Sequence, residues 1–139
     1  MAGPANLLYV SSCGWRAFAL AELGELETAH ASASRAVRAA NASGFAYSQA
    51  IANTISGLVW WIQGYLDRAV PLLETAIRLC REYHLVVWTP IPSSLLGHAY
   101  TLLGDQERGL VLLEDAVNQT ETLGINAYRS LWHVNLADG

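Results

Sequence analysis

Glycine recurs at Gly24, Gly64 and Gly104, so the chain repeats in phase every 40 residues. A fixed period of this size is the mark of a stacked array, in which each unit buries its apolar face on its neighbours rather than on itself. The phase holds at other offsets too. Ala29, Ala69 and Gly109 form one set, Ala36, Ala76 and Ala116 another, and Val37, Ile77 and Val117 a third. Ala33, Leu73 and Leu113 share an apolar position, and Ala17, Gly57, Gly97 and Ala137 a small one. Small residues at fixed places let two helices approach closely, because the interaxial distance depends on the side chains at the contact.

Between the glycines the apolar residues step by three and four. Leu66, Ala69, Val70, Leu73, Ala76, Ile77 and Cys80 make one such face, and Leu110, Leu113, Ala116 and Val117 repeat it. That spacing predicts amphipathic helices. We expect helices over 5–23, 25–42, 46–63, 66–83, 90–103, 106–123 and 126–137, with ends uncertain by about 2–4 residues. No segment alternates polar and apolar as a half-buried strand does. The expected fold is all-α: a right-handed superhelical solenoid of antiparallel helix pairs. It would form one domain over 1–139, about three and a half repeats bounded at 5–44, 45–84, 85–124 and 125–139. Pro90 suits a first helical turn. Gly44 and Gly124 stand where a helix C-cap is expected, and His84 occupies that place in the second repeat.

The chain is 53% hydrophobic and only 14% charged, rich for an isolated helical array. Its formal charge of −4 includes no basic stripe, which disfavours nucleic acid as a partner. Glu74, Arg78 and Glu82 are spaced for i,i+4 pairing on a solvated helix face. All eight basic residues are Arg, a composition suggesting a GC-rich bacterial gene. Residues 39–66 lack formal charge but contain Asn41, Gln49, Asn53 and Gln63, and 85–104 is broken by Pro90 and Pro92. Neither reads as a membrane span, and the N-terminal apolar run lacks the basic start of an export signal. We therefore expect a soluble, cytoplasmic protein with no membrane partner. Cys13 and Cys80 lie in different repeats and fit buried thiols in a reducing compartment.

At these offsets the chain resembles tetratricopeptide repeats. Leu96, Gly97, Tyr100, Gly104, Leu113 and Ala116 in repeat three fit that pattern, as do Gly57, Trp60, Gly64, Ala69, Leu73 and Ala76 in repeat two. Repeat one is thinner, with Ala17 and Leu20 where Gly and Tyr are usual. Asn41, Arg81 and Glu121 stand in place of the usual closing proline. The family period is about 34 residues, so each unit here is about six longer; repeats of the HEAT kind, with a period of about 40–47, are the nearest structural alternative. The longer variant is similar to arrays at the C-terminal ends of bacterial cyclase–ATPase proteins and of maltose-regulator-like transcription activators, a likeness borne mainly by residues 64–105. The resemblance implies packing rather than chemistry.

That family lines a concave groove with its first helices. By offset, the resemblance puts Phe18, Ile51, Thr54, Leu58, Trp61, Ile91, His98 and Thr101 on this groove, with Leu58 and Trp61 at its energetic centre. An apolar wall of this kind would suit a peptide helix or a domain surface. No complete set of catalytic or metal-ligating residues is found, so we expect no enzyme, no metal and no cofactor. Cys80 and His84 stand four apart on one helix but supply only two of the ligands zinc needs. The expected function is a non-catalytic protein–protein interaction scaffold, part of a multidomain signalling or regulatory protein. The alternative is a small-molecule sensor acting on a neighbouring ATPase, cyclase or transcription-activator domain. At the C-terminal end, Leu131, Trp132, Val134 and Leu136 lack an in-chain partner, since the helix that would complete the unit is missing. We expect a homo-oligomer through that end.

Overall fold

In the computed structural model the described backbone runs from residue 3 to 123, and side chains are described for residues 5–118. It contains six helices: α1 (Gly3–Glu22), α2 (Leu26–Ser43), α3 (Ala46–Ile62), α4 (Leu66–Glu82), α5 (Pro90–Leu102) and α6 (Gln106–Leu123). There is no strand among the described residues. The expected helix over 126–137, the half repeat 125–139 and the end residues Leu131, Trp132, Val134 and Leu136 lie outside them.

Helices pair as hairpins, α1 with α2, α3 with α4 and α5 with α6. Each first helix then packs on the hairpin before it, α3 on α1 and α2, and α5 on α4 and, lightly, α3. The second helices α2, α4 and α6 do not approach one another, which leaves furrows between them. The result is an all-α solenoid of about three repeats.

The period becomes structure through the hairpin turns. Gly24, Gly64 and Gly104 have φ of 81°, 87° and 95°, the left-handed region that costs a residue with a Cβ about 1–2 kcal/mol. Past each glycine, the next amide closes back on the helix: Glu25 N–H donates to Leu20 C=O (2.9 Å), Tyr65 to Trp60 (3.0 Å) and Asp105 to Tyr100 (2.8 Å). These are six-to-one closures that satisfy carbonyls otherwise orphaned at a helix end. His84, with φ 54°, performs the same turn without glycine, and Leu85 N–H closes on Cys80 C=O at 2.9 Å.

The small positions set how closely the helices of a pair approach. A Cβ on Gly97 would lie 2.9 Å from Leu113 Cγ and 3.0 Å from Gly109 C=O; one on Gly109 would lie 2.7 Å from Gly97 C=O. Backbone therefore rests almost on backbone where α5 meets α6. Between repeats, Gly14 does the same for Ile55, whose Cδ1 stands 2.6 Å from where a Cβ would project. The core is a column of small and branched residues. Ala17, Ala29, Ala33 and Val59 fill one level, and Ala69, Leu73, Ile77 and Leu96 another.

Candidate functional site

The eight residues expected along the first helices do not form one continuous surface. Ile51 and Thr54 are buried, at 6% and 1% exposure. The connection from α4 to α5 closes over Thr54: Trp88 packs with Leu85 on the Ala50–Leu79–Cys80 cluster, and its indole N–H donates to Thr54 Oγ at 3.0 Å. Thr54 donates in turn to Ala50 C=O at 2.7 Å. Ile51 and Thr54 are therefore core, and no partner reaches them. Thr101 is exposed, with its hydroxyl turned toward α6. Its hydroxyl donates to Gly97 C=O (2.9 Å) and sits 2.1 Å from where a Gly109 Cβ would be, so it faces α6.

Phe18, Leu58 and Trp61 are half-buried, and Ile91 and His98 are exposed. Trp61 packs on the Ala69–Leu73–Ile77–Leu96 cluster, with its indole N–H buried and without an acceptor.

A concavity lies in the furrow between second helices. It is a groove of about 880 Å³ between α4 and α6, floored by α5. Ile77, Leu96, Val111 and Leu112 form its apolar bed, and Tyr100 stands within it. Along the rims α4 places Glu74, Arg78, Arg81 and Glu82, and α6 places Glu107 and Arg108. Three carboxylates and three guanidinium groups are thus shared between the two rims, so the groove has mixed charge and no net sign. The Arg108 guanidinium lies over the Tyr100 ring at 5.2 Å and also pairs with Asp105 at 3.9 Å. Burial pushes the Tyr100 phenol up from its ordinary value, and the neighbouring Glu74 charge adds to this while Arg108 opposes it.

One repeat earlier the same construction appears in denser form. Trp60 and Arg68 are in phase with Tyr100 and Arg108, and the Arg68 guanidinium lies 5.0 Å from the Trp60 ring. His30 packs on Trp60 with ring centroids 4.0 Å apart and is held by Gln63, and Tyr65 meets the indole edge-on at 5.8 Å. This cluster borders a smaller hollow of about 390 Å³. Repeat one has Leu20 and Thr28 at these offsets, so the motif is absent there.

The α4–α6 groove is not legible from spacing. In sequence, Glu74, Arg78 and Glu82 read as solvated helix surface, and Tyr100 as a position of the repeat motif. Seeing a groove there needs the distance between α4 and α6, a tertiary quantity.

Among the described residues no three His, Cys, Asp or Glu side chains converge as metal ligands would. Cys80 is buried, and its thiol is pushed up by that burial against a weaker opposing hydrogen bond with Thr89. No described helix is long and apolar enough to cross a membrane.

The fold and groove define an array of helical hairpins that offers side-chain surfaces between its units. The sequence model of the tetratricopeptide repeat family matches residues 10–35, the later part of α1, the Gly24 turn and the first half of α2. The match supports a tetratricopeptide repeat in the first hairpin. This is the repeat whose motif residues are thinnest, yet the stretch lies within one hairpin and avoids the link where the extra residues of the longer period fall. Comparisons with curated proteins and with solved structures return no match. Repeats of this kind generally mediate protein–protein interaction.

Proposed function

We propose that the chain is a non-catalytic interaction scaffold that takes a protein or peptide segment in the groove between α4 and α6. The observation that supports it most is the build of that groove. An apolar bed of Ile77, Leu96, Val111 and Leu112 lies between two rims of mixed charge. An amphipathic helix fits such a place, its apolar side on the bed and its flanks paired with the rims. Tyr100 and Arg108 are the natural anchors, since aromatic and Arg side chains dominate interface energetics. The groove opens to solvent between α4 and α6, which favours a segment of chain over an enclosed metabolite and so favours the scaffold over a small-molecule sensor. Its balanced charge offers no footprint for nucleic acid. The same reading places the array in the cytoplasm, within a multidomain bacterial regulator of the cyclase–ATPase or maltose-regulator-like kind.

Selection of a displayed random peptide library on the immobilised chain, followed by fluorescence titration of an enriched peptide, tests the groove. Tyr100→Ala and Arg108→Glu should each weaken that peptide by roughly tenfold or more. Failure to enrich any peptide, or equal binding by the parent and both variants, would exclude this groove as the binding surface.

A further inference from the structure

The two ends of the described array expose opposite halves of one interface. Along the outer side of α1, Leu8, Ser12, Trp15, Ala19 and Leu23 stand exposed, with Leu8 at 71% and Trp15 at 53%. Forty residues on, Ser48, Ala52, Ile55 and Val59 hold the first four of these places on α3, and all are buried, at 0%, 1%, 2% and 0%. They are buried because α3 lays that side against the preceding hairpin. In the third repeat the same places are taken by Trp88, just before α5, and by Pro92, Leu95 and Ala99 on it, none of them exposed.

The reverse holds at the other end. Val117 on α6 is 56% exposed and Leu110 57%, whereas Ile77, in phase with Val117, is 4% exposed. At the internal junction Leu95 of α5 packs against the cluster of Ala69, Leu73 and Ile77. The residues in phase with that cluster are Gly109, Leu113 and Val117, and the residue in phase with Leu95, two repeats back, is Trp15. Beside Val117 lies a shallow hollow of about 320 Å³ lined by Leu113, Glu114, Val117 and Asn118, roomy enough for an indole.

We propose that copies of this chain stack head to tail, with the outer side of α1 of one copy seated on the α5–α6 end of the next and Trp15 lodged beside Leu113 and Val117. The contact continues the junction that already joins the hairpins within one copy. By sequence offset, the chain beyond α6 is the alternative to a second copy. At the four offsets that fill an internal junction it offers Tyr128, Trp132, Asn135 and Gly139. A polar Asn thus falls where Ile55 and Leu95 stand, and a Gly where Val59 and Ala99 stand. Trp15 and Ala19 match those apolar places instead. Because each copy has one donor side and one receiver end, the interface is heterologous and propagates unless it closes into a ring.

Sedimentation of the full chain across a concentration series, alone and in mixtures, tests the arrangement, with circular dichroism checking the fold of every variant. The parent should grow in mass with concentration. Trp15→Glu removes the donor and Val117→Arg the receiver, and each variant alone should associate roughly thirtyfold more weakly than the parent. Mixed in equal amounts, the two variants should form a complex that stops at two copies, since one intact donor and one intact receiver remain. A parent that stays monomeric, as it would if residues 124–139 covered the receiver, overturns the proposal. So does association sensitive to only one of the two substitutions, or a mixture that fails to pair. Leu8→Glu and Leu110→Glu take the places of the first pair should either of those fail to fold, with the same outcomes expected.

Discussion

Gly109→Ala should destabilise the array although it replaces glycine by the best helix former inside a helix. A Cβ at this position would stand 2.1 Å from Thr101 Oγ, 2.7 Å from Gly97 C=O and 3.0 Å from Thr101 N–H nitrogen. The hydroxyl can rotate away and give up its bond to Gly97 C=O. The other two atoms are backbone of α5 and yield only if the helices separate by several tenths of an ångström. That separation also loosens Leu113 from Gly97, the neighbouring close contact. Forcing an extra carbon into a packed interior costs about 1–3 kcal/mol, and with two backbone contacts the upper half of that range applies. Against this, Ala regains about 1 kcal/mol of helix propensity. The net loss is about 1–2 kcal/mol. At ~4 °C per kcal/mol for a domain of this size, the thermal midpoint should fall by about 4–8 °C. Gly57→Ala is the internal comparison. Its new Cβ would meet mainly Leu73 side-chain carbons at 3.0 and 3.1 Å, which can shift, so its midpoint should move by no more than about half as much. Thermal unfolding followed by circular dichroism reads both variants. A Gly109→Ala protein as stable as the parent would refute the backbone-on-backbone packing of α5 and α6.

Two further outcomes follow from the turn after α4 and from the buried thiol. His84→Gly should raise stability by about 1 kcal/mol in chemical denaturation, because it relieves a left-handed residue with a Cβ while leaving the Leu85-to-Cys80 closure in place; an unchanged or lower midpoint would show that the His84 side chain supports the fold. Burial raises the Cys80 thiol, so the folded chain keeps its proton where the unfolded chain loses it. That contribution is complete below the ordinary thiol range and fades as pH rises above about 8.5, so a Cys80→Ala variant should show a flatter fall in stability over that interval than the parent.

The hairpins were legible because their causes are local. A glycine every 40 residues, a three-and-four apolar step on either side and small residues at fixed offsets each act within one turn or one helix pair. Even the turn at His84 could be placed from phase alone. The faces that meet between repeats were a different matter. Thr54 stands at the right offset for an open surface, yet Trp88, 34 residues beyond it, closes over it because the chain leaving α4 folds back on α3. Glu74, Arg78 and Glu82 read as ordinary helix surface, and they become a rim only because α6 stands across a furrow from α4 with Tyr100 between. The helices, their pairing and the turns could be read from residue order alone, since those follow from dihedral preference and periodicity within one unit. Which sides were covered and which left as a groove was decided by the tertiary structure, because burial depends on what a distant segment lays over a surface, and a 40-residue period repeats the surface without stating its cover.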